Sequence, residues 1–264
     1  MARKIVVASG KGGVGKTSVT AGIGISLASR GESVLLIDAD VGLNNLDVVL
    51  GMERRIVYDM TDVLSGKCNI RRALLQDEYV RNLYLLPSAH AYASDGIDAA
   101  QFRRLLNRLD GSFSYILIDC PAGIDQGFHR AVCGADEAIV ATTPHIAAIR
   151  DAGKTLALLS GYGLHAVSLV LNRVRGDLIM RRSMMPPQEI ARLLRYPLLG
   201  VVPEDDRVTV YSQVGRMAMQ VSQARQSFDM IADNIASGTR KLYDPTQRYR
   251  GVLGKLKIWW EAGL

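Results

Sequence analysis

Seven short runs of nearly unbroken apolar residues punctuate the chain: KIVVAS, SVLLIDAD, LYLLPS, YILIDCP, EAIVATTP, AVSLVLNRV and PLLGVVPED. They are rich in β-branched residues and too short for buried helices, so they read as strands. Strands apolar on both faces must be covered on both faces, as in a parallel sheet. Between most of them the apolar positions recur at the helical period instead, over Thr17–Arg30, Ala99–Leu109, Ile146–Leu159 and Pro187–Tyr196. Ser222–Leu242 reads as a last packed helix. The alternation predicts an α/β fold: a doubly wound, mostly parallel sheet with helices on both faces. Residues 1–242 make up that domain, and the polar stretch 243–250 with Pro245 reads as a linker.

Beyond it, residues 251–264 form a pattern of their own. At about 100° per residue, Val252, Leu253, Leu256, Trp259, Trp260 and Leu264 fall within an arc of roughly 140°. Lys255 and Lys257 lie near its edges, where they can snorkel to phosphates. A basic, Trp-bearing amphipathic helix fits a membrane interface. The alternative is that its apolar face docks on the protein's own core; Gly254 and Pro245 argue against a packed helix. Val252, Leu253, Lys255, Leu256, Lys257, Trp259 and Trp260 are the candidate membrane contacts.

The 264 residues suffice for a large core, and the formal charge of +6 favours an anionic partner or a mildly basic surface. No apolar run approaches the roughly 20 residues that span a bilayer. The start MARKIVVASGKGG lacks the apolar region and cleavage site of a signal peptide. Cys68, Cys120 and Cys133 form no C-x-x-C pair, which suits a reducing cytoplasm.

The first strand leads into Gly10-Lys11-Gly12-Gly13-Val14-Gly15-Lys16-Thr17, followed by Ser18 and the first helix. This matches G-x-x-x-x-G-K-[ST], a loop whose glycines let backbone N–H groups surround phosphate oxygens at a helix N-terminus. Lys16 is placed to reach the β- and γ-phosphates, and the Thr17 hydroxyl to ligate Mg²⁺. Two later strands end in Asp38 with Asp40 and in Asp119. Carboxylates at the C-terminal ends of parallel strands stand where open α/β sheets bind ligands.

Lys11 is a second cation within the loop. The form GKGGVGKT resembles the deviant Walker A family of ATPases, which includes the MinD and ParA branches and the nitrogenase iron protein. The resemblance implies that Lys11 crosses a homodimer interface to the partner's phosphates, where it acts as a cation supplied in trans. It implies that Asp40 orients the attacking water, and that Asp38 and Asp119 hold Mg²⁺ through water. The loops at Gly42 and Gly123 become switches that sense the γ-phosphate. LVLNRV and VVPEDD are similar to the family's base-binding segments, which nominates Asn172, Arg173, Pro203, Glu204 and Asp205 for the adenine pocket.

GLNNLD, ERRIVYDM, NLYLLPSA, DCPAGID, GADEAIV and GVVPEDD, with the basic tail, resemble the MinD branch, whose members place the bacterial division septum. The match covers Met1 to about Val214 and resumes at the tail. Asn44 replaces a usual arginine, and Gly153 stands where better-known members carry an acid on the helix that meets their partners. What the branch implies is a slow ATPase that dimerises with ATP and is stimulated by a partner or membrane. It would sit in the cytoplasm and peripherally on the inner face of the cell membrane. Its partners would be the division-inhibitor and topological-factor proteins of the Min system, with DNA not expected among them. The alternatives are a flagellar-number regulator and a ParA-type DNA-partitioning ATPase. The iron-protein branch is set aside, because no second cysteine accompanies Cys133 to hold a cluster.

Overall fold

A computed structural model describes residues 1–41, 45–88, 97–215, 217 and 222–251. The expected switch loop at Gly42 and the tail positions from Val252 to Trp260 lie outside the described residues. The strands among the described residues are β1 (Arg3–Ala8), β2 (Val34–Asp38), β3 (Leu75–Gln76), β4 (Leu83–Leu86), β5 (Tyr115–Asp119), β6 (Glu137–Thr142), β7 (Ala166–Val174) and β8 (Leu198–Pro203). They form one sheet in the order β3-β4-β2-β5-β1-β6-β7-β8. All pairings are parallel except β3 with β4. The seven strands expected from the apolar runs are all present. The eighth is a two-residue edge strand, too short to carry a pattern.

The helices are α1 (Lys16–Ala28), α2 (Leu46–Leu50), α3 (Met60–Leu64), α4 (Ile70–Ala73), α5 (Ala99–Leu109), α6 (Gln126–Val132), α7 (Ile146–Leu159), α8 (Gly176–Met180), α9 (Pro187–Leu194), α10 (Asp206–Gln213) and α11 (Gln223–Ser237). Among the described residues two large hydrophobic cores flank the sheet, and a smaller cluster joins Ile149, Leu171, Ile190 and Val201. One joins the inward side chains of the strands to α5, α6 and α7, among them Phe102, Leu105, Phe128 and Leu156. The other holds α1 and α11 against the opposite face, with Ile23, Leu27, Phe228 and Ile231 at its centre. This is the doubly wound arrangement that two-sided apolar strands demand. No helix among the described residues is long and apolar enough to cross a membrane.

Two boundaries differ from the sequence reading. The last helix was expected to run to Leu242, but it stops at Ser237, where Gly238 turns left-handed with φ 65°. Buried Asn234 then fixes the exit. Its Nδ2 donates to Leu199 O at 2.9 Å and Lys241 O at 2.7 Å, while its Oδ1 accepts from Lys241 N at 2.9 Å. The stretch 243–250 is likewise no free linker but a docked strap. Tyr249 is only 1% exposed. The Pro245 carbonyl lies so close to Gly176 that a Cβ there would meet it at 1.8 Å. A polar segment can be held this way by one aromatic and backbone contact, neither of which shows as an apolar pattern.

Candidate nucleotide site

Parallel register builds the site. Asp38 and Asp119 are Cα partners at the carboxyl ends of neighbouring β2 and β5, and Asp119 also pairs with Val7 at the end of β1. The loop that leaves β1 therefore passes beside both carboxylates. Gly13 and Gly15 carry φ of 80° and 85°, a region that β-carbons disfavour. Gly15 is required for a second reason. Asn172 Nδ2, which donates to Val14 O at 2.8 Å, would lie 2.3 Å from a Cβ there.

Lys16, 8% exposed, places Nζ 3.1 Å from Asp119 Oδ1. The Thr17 hydroxyl donates to Asp119 Oδ2 at 2.7 Å, and Thr20 Oγ1 lies 2.9 Å from Oδ1. One buried carboxylate thus gathers the ammonium and the hydroxyl that the loop motif assigns to phosphate and Mg²⁺, with a further hydroxyl from Thr20. Asp38 accepts backbone N–H bonds from Asp40 at 3.0 Å, Asn45 at 3.2 Å and Leu46 at 3.1 Å. Its carboxylate therefore holds the start of α2, a capping use that the sequence alone leaves open. Burial and then the Asp119 charge push Asp38 up to about 7, against the pull of those N–H groups. Asp40 is half-buried; burial raises its pKa, and Lys16 opposes the shift.

The five nominated base residues come together. Asn172, Arg173, Pro203, Glu204 and Asp205 line a cavity of about 440 Å³ with Gly15 and Ser18. Asp205, however, is largely occupied by structure. Its Oδ1 accepts from Arg207 N at 3.1 Å and its Oδ2 from Ala224 N at 3.3 Å, so it caps α10 and ties in the first turn of α11. Arg173 turns left-handed with φ 55° and borders this cavity on one side. On the other side it faces a second cavity of about 370 Å³, lined also by Lys11, Gly12 and Gly13. Lys11 is exposed, and among the described residues none pairs with its ammonium.

Sequence reasoning missed three contributors. Val208, Thr209, Ser212 and Gln213 of α10 form a wall of the base cavity, with Val48 of α2. Thr20, one helical turn beyond Lys16, adds a hydroxyl at Asp119. Buried Arg130 on α6 donates to Ile97 O at 3.4 Å and Ala39 O at 3.5 Å, next to Asp40. The i, i+4 spacing from Lys16 marks Thr20, whereas Arg130 carries no local signal.

Comparison with known proteins agrees with this geometry. The CobQ/CobB/MinD/ParA nucleotide-binding domain matches residues 5–216. The septum site-determining protein MinD of Synechocystis is 41% identical over 260 residues, covering 97% of this chain and 98% of its own. The MinD chain of the MinC:MinD cell division protein complex from Aquifex aeolicus superposes with a TM-score of 0.85 at 36% identity, over 91% of this chain and 98% of that one. MinD from Pyrococcus horikoshii, complexed with Mg-ADP, gives a TM-score of 0.81 at 32% identity, over 90% and 97%. The chain belongs to the CobQ/CobB/MinD/ParA nucleotide-binding family and, within it, to the septum-site-determining MinD branch.

Proposed function

We propose that this chain binds ATP with Mg²⁺ at the β1 loop, dimerises through the bound nucleotide, associates with the inner face of the cell membrane and hydrolyses ATP to leave it. In doing so it helps to place the division septum. The observation that carries the reading is the convergence of Lys16, Thr17 and Thr20 on Asp119 beside buried Asp38. Two adjacent buried carboxylates, one paired to the Lys16 ammonium and the other held by backbone N–H groups, suit a bound cation. Hard oxygens from Thr17, Asp38 and Asp119 fit Mg²⁺, which keeps most of its waters and takes few protein ligands. When bound, Mg²⁺ neutralises charge on the terminal phosphate oxygens. In this reading Lys16 swings from Asp119 to the β- and γ-phosphates while the loop amides hold the remaining oxygens. The cavity at Asn172 and Pro203 takes the base. The Pyrococcus relative's Mg-ADP supports the same ligand class here.

Asp40 orients the attacking water, its backbone fixed by the bond to Asp38. Lys11, exposed at the mouth of the loop, completes the partner's site. ATP thereby links two subunits, and two tails act together. A single short anchor is marginal, with an association constant near 10⁴ M⁻¹. Two in one dimer gain about 10²–10⁴-fold. The membrane contact is then set by nucleotide state. The Aquifex MinC:MinD complex supports a division inhibitor as one partner, and a topological factor is the second. Phosphate release with and without anionic vesicles tests the reading, alongside sizing with a slowly hydrolysed ATP analogue. Turnover that ignores lipid from a permanent monomer would contradict it.

A further inference from the structure

Among the described residues, the buried guanidinium of Arg130 has no carboxylate within ion-pair distance. Arg130 stands in the last turn of α6, the helix that follows the turn at Gly123. Its side chain is on the sheet face that α5 and α6 cover, and the residue is only 9% exposed. Two long bonds hold it, to Ile97 O at 3.4 Å and Ala39 O at 3.5 Å, and its Nε has no partner. Arginine stays protonated and carries five N–H donors in a rigid fork. A charge taken out of water on so few bonds is costly, and an apolar side chain of similar reach would fill the place better. Such a group is explained by a partner that it meets in another state of the site.

The surroundings narrow that partner to one group. Burial lowers the Arg130 pKa, and Asp125, Cys120 and Asp40 oppose the shift. Burial pushes the Cys120 thiol up, so it stays neutral. Asp125 is occupied as the N-cap of α6, where its Oδ1 accepts from Gly127 N at 3.0 Å and Phe128 N at 3.3 Å. Asp40 is left. It is half-buried, and among the described residues no N–H or O–H group donates to its carboxylate. The guanidinium already bonds the carbonyl of Ala39, the residue that precedes it.

We propose that Arg130 is a positioning residue for ATP hydrolysis: when nucleotide fills the site, its guanidinium pairs with the Asp40 carboxylate and fixes that carboxylate toward the attacking water. The inference rests on the assignment of Asp40 as the group that orients the water, and it deepens that reading. A planar fork suits the task, because two parallel N–H bonds set the orientation of a carboxylate as well as its place. The pair would also join α6, which follows the Gly123 turn, to the end of β2.

The test assays the full chain with Mg-ATP and phosphatidylglycerol vesicles. Arg130→Met removes the charge and fills similar space. Its kcat should fall roughly ten- to hundredfold, the loss of one charge-assisted contact, with KM for ATP unchanged. Its melting temperature should stand at or above the parent's, since apolar packing replaces a buried charge without a partner. Arg130→Lys keeps the charge without the fork and should turn over faster than Arg130→Met. In a chain that already carries Asp40→Ala, Arg130→Met should slow single-turnover hydrolysis no further. Four results would each overturn the proposal: a parent-like kcat or an early melt from Arg130→Met, a Lys variant no faster than the Met variant, or a further loss on the Asp40→Ala background. Parent-rate turnover by Asp40→Ala would remove the Asp40 assignment as well, whereas slow Asp40→Ala beside parent-like Arg130→Met would sink this inference alone.

Discussion

Replacing Gly176 by alanine sets two effects against each other. Alanine is the better helix former, so at the start of α8 the exchange alone gains about 0.5–1 kcal/mol. The strap opposes it. The new Cβ would lie 1.8 Å from the Pro245 carbonyl oxygen, 2.5 Å from its carbon and 3.0 Å from the Tyr249 ring. Backbone atoms have no rotamer by which to yield, so the strap must lift. Lifting exposes Tyr249, whose burial contributes roughly 2–3 kcal/mol. Each released residue regains on the order of 1 kcal/mol of chain entropy. The cost is therefore capped at a few kcal/mol and falls on the strap, not on the sheet. Amide hydrogen exchange resolves this by position. Lys241, Thr246 and Tyr249, whose N–H groups are bonded to Asn234, Asp244 and Thr246, should exchange about thirtyfold faster for 2 kcal/mol lost. Amides of β1 and β5 should be unchanged. Parent-like exchange at the strap, or a rise in melting temperature, would refute the docking.

Asp40→Ala should keep ATP binding and dimerisation but lose turnover by about a hundredfold or more, measured as phosphate release. Asp205→Ala removes the carboxylate that caps α10 and meets α11, and should cost about 1–2 kcal/mol by urea denaturation while loosening the base cavity wall. The Asp38 carboxyl titrates in the fold near 7, against 3.8 when unperturbed. The folded chain then binds the extra proton, so this group's contribution is full below about pH 4 and is lost as pH rises through 7. The melting temperature of nucleotide-free protein should carry that decline, and Asp119→Asn should shrink it by removing the neighbouring charge.

The fold was legible where burial is two-sided. Strands such as YILID are apolar up to their last position, and their ends then bring Asp38 and Asp119 into register without any further signal. The phosphate loop was legible because Gly13 and Gly15 must be left-handed. The strap was not, because Tyr249 holds it alone among polar neighbours, and the close approach to Gly176 is a tertiary fact. The end of α11 hid for a related reason: Leu242 resumes an apolar position after Gly238, and the side chain that organises the exit, Asn234, lies inside the helix. Arg130 reaches Ala39 from 91 residues away, and Asp205 reaches Ala224 from 19; no local spacing records either.

The reading turns on Lys11, an exposed ammonium in a loop whose phosphate contacts Lys16 can already make. Sizing Lys11→Ala with a slowly hydrolysed ATP analogue, with nucleotide affinity measured on the same sample, isolates its role. The expected result is retained nucleotide binding with loss of the dimer that the parent forms. A normal ATP-dependent dimer from Lys11→Ala would contradict a site completed in trans.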